Sequence, residues 1–341
     1  MAITRVWQTG AEARSYSEVT GNTAVFYYSV NYAKGGTTSF MVRADVVSNC
    51  YKTIPDTAQI RVGFHNLFKY GLGNIADGDT LIIYDGATAL IEIEIDRAGS
   101  NLRLKVAGAE EDITTDSPIE LLTWYHIGLD CKIDSVNGWA YVYLDGVEIL
   151  SFDGDTGSVN IDKVLFGTAT DASSIVLEWY YDNLYIDDTT GEASPVIVPM
   201  LNFQWIYPNG TGNYDQWIGS DGNNTNNYLL VDESPPVTTD YVEEDTADQF
   251  DSYAMTTYTL GAGETINAVI PIVFAQRYGA AEELALGTRY SGTNAIGSEQ
   301  DPGSGAWTFS WERQTTKPGG GVWDQAALDG VEVVIYSTGT F

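Results

Sequence analysis

Basic residues are scarce in this chain. Only 16 of 341 residues are Lys or Arg, against 47 Asp and Glu, for a formal net charge of −31. Phosphate backbones are held by Lys and Arg that displace counterions, so nucleic acid is excluded as a partner. An anionic membrane surface is disfavoured for the same reason. Cysteine is nearly absent: Cys50 and Cys131 are the only two. Two thiols without a CxxC pair build no disulfide scaffold. Both are expected as small core residues, able to pair only if their strands are neighbours. His65 and His126 are the only histidines. They exclude a histidine-rich metal site, and neither stands beside a nucleophile-elbow or Cys motif. His126 alternates with Trp124, which predicts packing. No run of eighteen apolar residues occurs, so no membrane-spanning helix is expected. No glycine loop of the phosphate-cradling kind is present. The start, Met1-Ala-Ile-Thr-Arg-Val-Trp7, lacks a basic-then-apolar signal segment and reads as a mature start made in a cytosol.

What is present points to strands. Glycine is abundant at 35, with 22 Tyr and 9 Trp, and 44% of residues are hydrophobic while 18% are charged. Gly-rich turns between aromatic and β-branched runs predict an all-β protein. The clearest pair is Trp124–Lys132 followed by Trp139–Leu144, which ends in Asp145-Gly146. In the second run Trp139, Tyr141 and Tyr143 share one face and Ala140, Val142 and Leu144 the other, the period of a half-buried antiparallel strand. Ile91, Ile93 and Ile95 likewise oppose Glu92, Glu94 and Asp96. Strands are read over Gln59–Leu67, Thr80–Tyr84, Ala89–Asp96, Lys163–Gly167 and Val176–Ile186 among others.

The length suits two domains. A polar stretch ending in proline, Asp187–Pro195, marks the break. The expected division is a β-sandwich over 1–190, a linker with its leading strand over 191–206, and a second β-sandwich over 207–341. In the second, strands are predicted at Tyr228–Val231, Met255–Leu260, Ile266–Gln276, Glu283–Tyr290, Ala306–Arg313 and Val331–Ser337. One helical turn is predicted within Trp323–Gly330. Met1–Pro195 carries 28 acids and 12 bases, the remainder 19 and 4, so both halves are acidic. Such a surface keeps a protein soluble and mutually repelling.

Trp124, His126, the Tyr141–Gly146 run and the closing Tyr181-Asp-Asn-Leu-Tyr-Ile186 resemble the concanavalin-A-like and laminin-G superfamily. The resemblance implies a two-sheet jelly roll over roughly 1–190. The second region resembles a β-sandwich of tailed-bacteriophage virion proteins. That order runs Pro208-Asn-Gly, Trp217, Asn227–Glu233, Thr239–Val242, Ile266–Val273 and Gly321–Val331. It implies a structural part of a phage particle, displayed on head, neck or tail.

Candidate sites follow. Three alternating carboxylates, Glu92, Glu94 and Asp96, are the residue types of glycosidic-bond hydrolysis, but with isoleucines inward they are expected to be a solvated face, and no catalytic residue is expected. The superfamily resemblance implies a calcium at the sandwich rim, for which the acidic loop ends Asp153, Asp155, Asp187 and Asp188 supply hard oxygens; otherwise no cofactor is expected. The run Asp232, Glu233, Asp240, Glu243, Glu244, Asp245, Asp248 and Asp251 contains no base. Glu243, Glu244, Asp245 and Asp248 are its candidates for docking a basic neighbour. Trp205 and Trp217 are candidate platforms for stacking on glycans.

The function expected is a non-enzymatic structural protein on the exterior of a tailed-phage particle: a capsid decoration, a head fibre, or a neck or tail component. It would be made in the host cytoplasm, be homo-oligomeric and contact other virion subunits. The alternative is a carbohydrate-binding module or adhesin. A glycoside hydrolase using Glu92, Glu94 or Asp96 stands third.

Overall fold

The computed structural model describes residues 4–9, 19–22, 26–29, 31–34, 38–43, 48–70, 78–95, 100–116, 118–169, 178–278 and 282–339. The chain forms two units, Met1–Gln204 and Trp205–Phe341. In the first, the strands are β1 Thr4–Thr9, β2 Gly21–Asn22, β3 Phe26–Ser29, β4 Ser39–Arg43, β5 Ser48–Thr57, β6 Gln59–Tyr70, β7 Gly78–Asp85, β8 Thr88–Ile95, β9 Leu102–Val106, β10 Ala109–Ile113, β11 Trp124–Lys132, β12 Gly138–Leu144, β13 Val147–Gly154, β14 Ile161–Thr168 and β15 Glu178–Asp188. The fold is all-β, as its composition predicts.

Two antiparallel sheets face each other. One runs β13-β12-β11-β6-β15-β4-β3, with β1 also paired to β15; the other runs β10-β9-β8-β7-β14-β5-β2. β1 occupies the Leu184–Asp188 half of β15 and β4 the Glu178–Tyr181 half. The core lies between the sheets. Phe64 and Tyr181 of the first sheet meet Phe166 of the second, with Phe64–Phe166 ring centroids 5.5 Å apart, edge to face. The predicted alternation holds: Ala140, Val142 and Leu144, and Ile91, Ile93 and Ile95, all enter this core. So do Cys50 and Cys131, each a free thiol, and they sit on β5 and β11 in different sheets.

The Asp145-Gly146 turn behaves as its residues dictate. Both have positive φ, 49° and 79°, the two-residue hairpin geometry that suits the strand twist. Ala107-Gly108 repeats it between β9 and β10, with φ 50° and 80°. The strands β1, β2 and β10 were not expected from sequence. In β5, Pro55 lies within Ser48–Thr57, opposite a register shift between Ile161 and Lys163. A proline is tolerated in a strand at such an irregularity.

Residues 191–203, part of the 191–206 stretch expected as linker and leading strand, fall in the first unit and lie along the outer face of its first sheet as a strap. Val198 is fully buried there with Tyr143 and Tyr185, and Leu201 and Phe203 pack beside them. Gly128 makes the room: a Cβ at that position would fall on the Val198 side chain. The Tyr185 hydroxyl donates to the Pro199 carbonyl. Below the strap, the Arg61 guanidinium lies 2.9 Å from Asp130 and 2.7 Å from Glu192. Asp130 also accepts the Trp139 indole N–H at 3.2 Å and the Val196 amide at 3.1 Å. Burial would pull the Arg61 pKa down, but Asp130 and Glu192 more than offset it, and the net direction is up.

The second unit has strands β16 Pro208–Asp215, β17 Ile218–Gly219, β18 Val242–Glu243, β19 Phe250–Met255, β20 Ile272–Ala275, β21 Glu282–Tyr290, β22 Thr293–Gln300, β23 Thr308–Trp311 and β24 Glu332–Gly339, with helix α1 at Gln325–Asp329. A five-stranded sheet runs β16-β19-β24-β21-β22, beside the pairs β17-β18 and β20-β23. Val273 and Ala275 of the β20-β23 ribbon pack on Tyr253, Leu284, Leu286 and Ile335 of the sheet. The predicted helical turn is present, capped by Asp324, whose carboxylate accepts the Ala327 amide at 2.8 Å. Three expectations are corrected, the first being the strand expected at Ile266–Gln276, which is confined to Ile272–Ala275. Asn227–Leu230 is a 3-10 turn rather than a strand, entered through a left-handed Asn226. The strand expected at Met255–Leu260 instead ends at Met255. β16, Pro-Asn-Gly-Thr-Gly-Asn-Tyr-Asp, reads as turn from its residues, and it is an edge strand with register shifts, where such residues are tolerated.

The strap yields a test. Gly128→Ala is expected to destabilise the protein by about 1–3 kcal/mol, the usual cost of overpacking, in urea unfolding. The pair Gly128→Ala/Val198→Gly should lose less than the sum of its parts. Strictly additive losses would refute the contact.

Candidate functional site

Polar chemistry gathers on the outer face of the second sheet. Because Ile91, Ile93 and Ile95 fill the core, Glu92 and Glu94 of β8 must point outward. Glu92 stands opposite Ile82 of β7 and Lys105 of β9; Glu94 stands opposite Asp79 and Arg103. The register shift between Asp79 and Leu81 brings Asp79 onto the same face while Leu81 remains in the core. One carboxylate oxygen each from Asp79, Glu92 and Glu94 lies within 4.8 Å of the others.

The three carboxylates differ in surroundings. Glu94 is ion-paired to Lys105 and, at 3.3 Å, to Arg103. Arg103 also reaches Glu110 at 2.7 Å. Asp79 has no cationic partner among the described residues; it hydrogen-bonds the Glu94 carboxyl and accepts the Ala169 amide at 3.4 Å. Burial, then the charges of Glu94 and Glu92, push its pKa up to about 7. Burial also raises Glu92, with Lys105 opposing. The trio therefore carries fewer than three charges near neutrality.

Beside it, Ile82 and Leu165 form a floor that is buried yet separate from the main core. Tyr84 and Tyr51 flank that floor by register. The Lys163 ammonium sits 4.2 Å from the Tyr84 ring centre and 5.8 Å from that of Tyr51, and donates to the Gly86 carbonyl at 2.7 Å. Burial, then Asp79 and Glu92, raise the Tyr84 pKa. The face thus combines aromatic rings, an ammonium and carboxylates around an apolar floor. Three carboxylates from adjacent strands are also a hard-cation donor set, but here Lys105 and Arg103 already balance Glu94.

The structure corrects the solvated-face expectation for this strand. Glu94 is 6% exposed and Asp79 5%. Asp96 lies outside the described residues. Asp79 was not singled out from sequence, because its approach depends on the register shift in β7. The signal that was legible is the outward alternation of β8 and of Leu102-Arg-Leu-Lys-Val106 opposite it.

The other predicted residues are not brought together into one site. Asp153 accepts the Tyr141 hydroxyl at 2.7 Å, and Asp155 the Gly157 amide at 3.0 Å. Asp187 pairs with Arg5. Asp188 accepts the Thr190 amide at 2.8 Å and the Thr57 hydroxyl at 3.3 Å. β13 and β15 are four strand spacings apart in the sheet, about 19 Å at the usual spacing, so Asp153 and Asp187 share no ion. In the second unit, Glu244 accepts the amides of Asp245 and Thr246 at 2.9 and 2.7 Å. The Tyr336 hydroxyl holds Asp248, and Glu243 belongs to β18. Glu243, Asp245 and Asp248 are exposed and Glu244 half-buried. Trp205 is half-buried. Trp217 packs on the sheet cluster and donates its indole N–H to the Gln249 carbonyl at 3.3 Å.

No protein-family model and no curated protein sequence matches the chain. Solved structures similar to it include the cellulose-induced protein Cip1, at 15% identity over 50% of this chain and 88% of that one, with a TM-score of 0.38. A protein of unknown function with a galectin-like fold from Bacillus subtilis is 12% identical over 54% and 96%, with a TM-score of 0.38. The botulinum neurotoxin type G receptor-binding domain is 12% identical over 54% of this chain but only 47% of its own, with a TM-score of 0.39.

The carboxylate trio predicts a pH signature. Asp79 holds its proton up to about pH 7 in the fold, against an ordinary aspartate value near 3.8. Folded stability from this group is therefore fully present below about pH 4 and is lost as pH rises towards 7. Asp79→Asn is expected to raise the urea midpoint at pH 8 and leave it nearly unchanged at pH 4. Parallel pH profiles for wild type and variant would contradict the assignment.

Proposed function

We propose that this chain is a non-catalytic, carbohydrate-binding β-sandwich protein whose ligand lies across the outer face of the second sheet. The observation that supports it is the buried Ile82–Leu165 floor flanked by Tyr51, Tyr84, Lys163 and the Asp79–Glu92–Glu94 trio. A sugar presents apolar C–H faces and a rim of hydroxyls. Aromatic rings suit the first, and carboxylates with an ammonium suit the second. A glycan array, run with and without calcium, is expected to give hits. Tyr84→Ala and Glu92→Gln are each expected to weaken binding at least about tenfold, or about 1.4 kcal/mol. An array without hits overturns the reading. Turnover of a polysaccharide panel that Glu94→Gln abolishes would make the protein a hydrolase.

A second reading, compatible with the first, is an external component of a tailed-phage particle. It is supported by the order of segments from Pro208-Asn-Gly to Gly321–Val331 and by the net charge of −31, which disfavours a DNA-facing interior. In it, neighbouring virion subunits contact the Glu243–Asp248 loop. Cryo-electron microscopy of purified particles is expected to reveal ordered copies on shell, neck or tail. Changing Glu243, Glu244 and Asp245 to their amides should reduce incorporation; unchanged incorporation would remove the loop from the docking surface.

A further inference from the structure

The strap over the first sheet ends at a histidine pair. His65 on β6 and His126 on β11 are directly opposite in register, with ring centroids 5.2 Å apart, edge to face. They are 5% and 0% exposed. Neither ring nitrogen of His126 has a hydrogen-bond partner among the described residues. The side chain joining this pair to the strap is Asn183, a left-handed residue with φ 53° at the register shift in β15. Its amide oxygen accepts the Phe203 backbone N–H at 2.9 Å, and its amide nitrogen lies 3.3 Å from His65 Nδ1. One amide thus serves the strap and the histidine at once.

From this geometry we infer that Asn183 and His65 form a proton-operated latch on the Leu201–Phe203 end of the strap. With Asn183 donating, His65 Nδ1 must be the lone-pair nitrogen. Protonating Nδ1 turns it into a donor and sets two donors against each other. Rotating the amide restores that contact but points its NH2 at the Phe203 N–H. Either way one bond is lost. The other fastenings are Val198 seated over Gly128, the Tyr185 hydroxyl on the Pro199 carbonyl, and the Val196 amide on Asp130, whose carboxylate is ion-paired to Arg61. No strap residue from Val196 to Phe203 is titratable.

The nearest carboxylates hold backbone amides. From β15, Asp182 accepts the Lys34 and Asn183 amides, each at 2.7 Å. From the turn after β12, Asp145 accepts the His126 amide at 2.8 Å. Lys34 and His126 themselves oppose a charge on His65. Burial first, then those two groups, lower the His65 pKa to about 3, and burial lowers that of His126 to about 4. Losing the strap's share of that burial moves the His65 pKa back up, so the closed latch weakens as pH falls. The second unit starts at Trp205, so opening would free the chain immediately ahead of it.

Hydrogen exchange on the full chain tests the latch. Corrected for intrinsic rates, protection of the Phe203 amide is expected to fall severalfold between pH 7.5 and pH 5, while the β6–β11 amides keep theirs. His65→Gln retains an acceptor towards Asn183 but cannot titrate, and its Phe203 protection is expected to be independent of pH. Unchanged wild-type protection, or a parallel loss across β6 and β11, overturns the proposal. So does the wild-type pH dependence persisting in His65→Gln. Should that variant fail to fold, NMR of the wild type decides: the His65 ring and the Phe203 amide must titrate with one midpoint, and separate midpoints refute the coupling.

Discussion

The first unit depends on how the Asp130 carboxylate is satisfied. Its sheet has both faces covered, one by the opposing sheet and one by the strap, so a charge on either face must find partners within the protein. Asp130 accepts from Arg61, from the Trp139 indole and from the Val196 amide. Each comes from a different part of the chain: β6, β12 and the strap. Losing one partner of a buried pair costs far more than a surface ion pair contributes. The strap is therefore held by a polar hub at Val196, by shape at Val198, by the Tyr185 hydroxyl at Pro199 and by the Asn183 amide at Phe203. These four fastenings rest on different physics and so respond differently to pH.

The second sheet solves the same problem another way. Its outer face has cations, but they are distributed unequally. Glu94 takes both Arg103 and Lys105, leaving Asp79 to share a proton-rich corner with Glu92. A protein with so few bases places three, Arg103, Lys105 and Lys163, on one face, with two tyrosines and a buried apolar floor between them. That concentration separates this face from the uniformly acidic surface expected of the chain as a whole. It is also the face on which a neutral polyol would find both stacking and hydrogen-bonding groups.

The two units use their aromatic residues differently. In the first, Phe64, Phe166 and Tyr181 join the sheets edge to face inside the core. In the second, Tyr214, Phe250 and Tyr336 stack across three neighbouring strands with centroids 5.0 and 4.3 Å apart. This ladder carries Asp248 through the Tyr336 hydroxyl. The acidic loop is therefore anchored at its Asp248 end, while Glu244 folds the Asp245–Thr246 backbone onto itself.

Much of the architecture was written locally. Period-two alternation at Trp139–Leu144 and Glu92–Ile95, and the positive-φ turn at Asp145-Gly146, are properties of neighbouring residues, so strand, face and turn could be read in order. The capped helical turn after Trp323 was legible for the same reason. What escaped was long-range. Asp79 joins Glu94 only through a register shift; His65 meets His126 only when β6 and β11 pair. Residues 191–203 look like a linker because an extended, proline-bearing stretch has no periodicity, and it took Gly128, 70 positions before Val198, to give it a seat. Composition and alternation determined that this chain folds into sheets and which faces turn inward. Only the tertiary structure decided which outward charges are buried together, because burial and pairing depend on strands that meet across the fold.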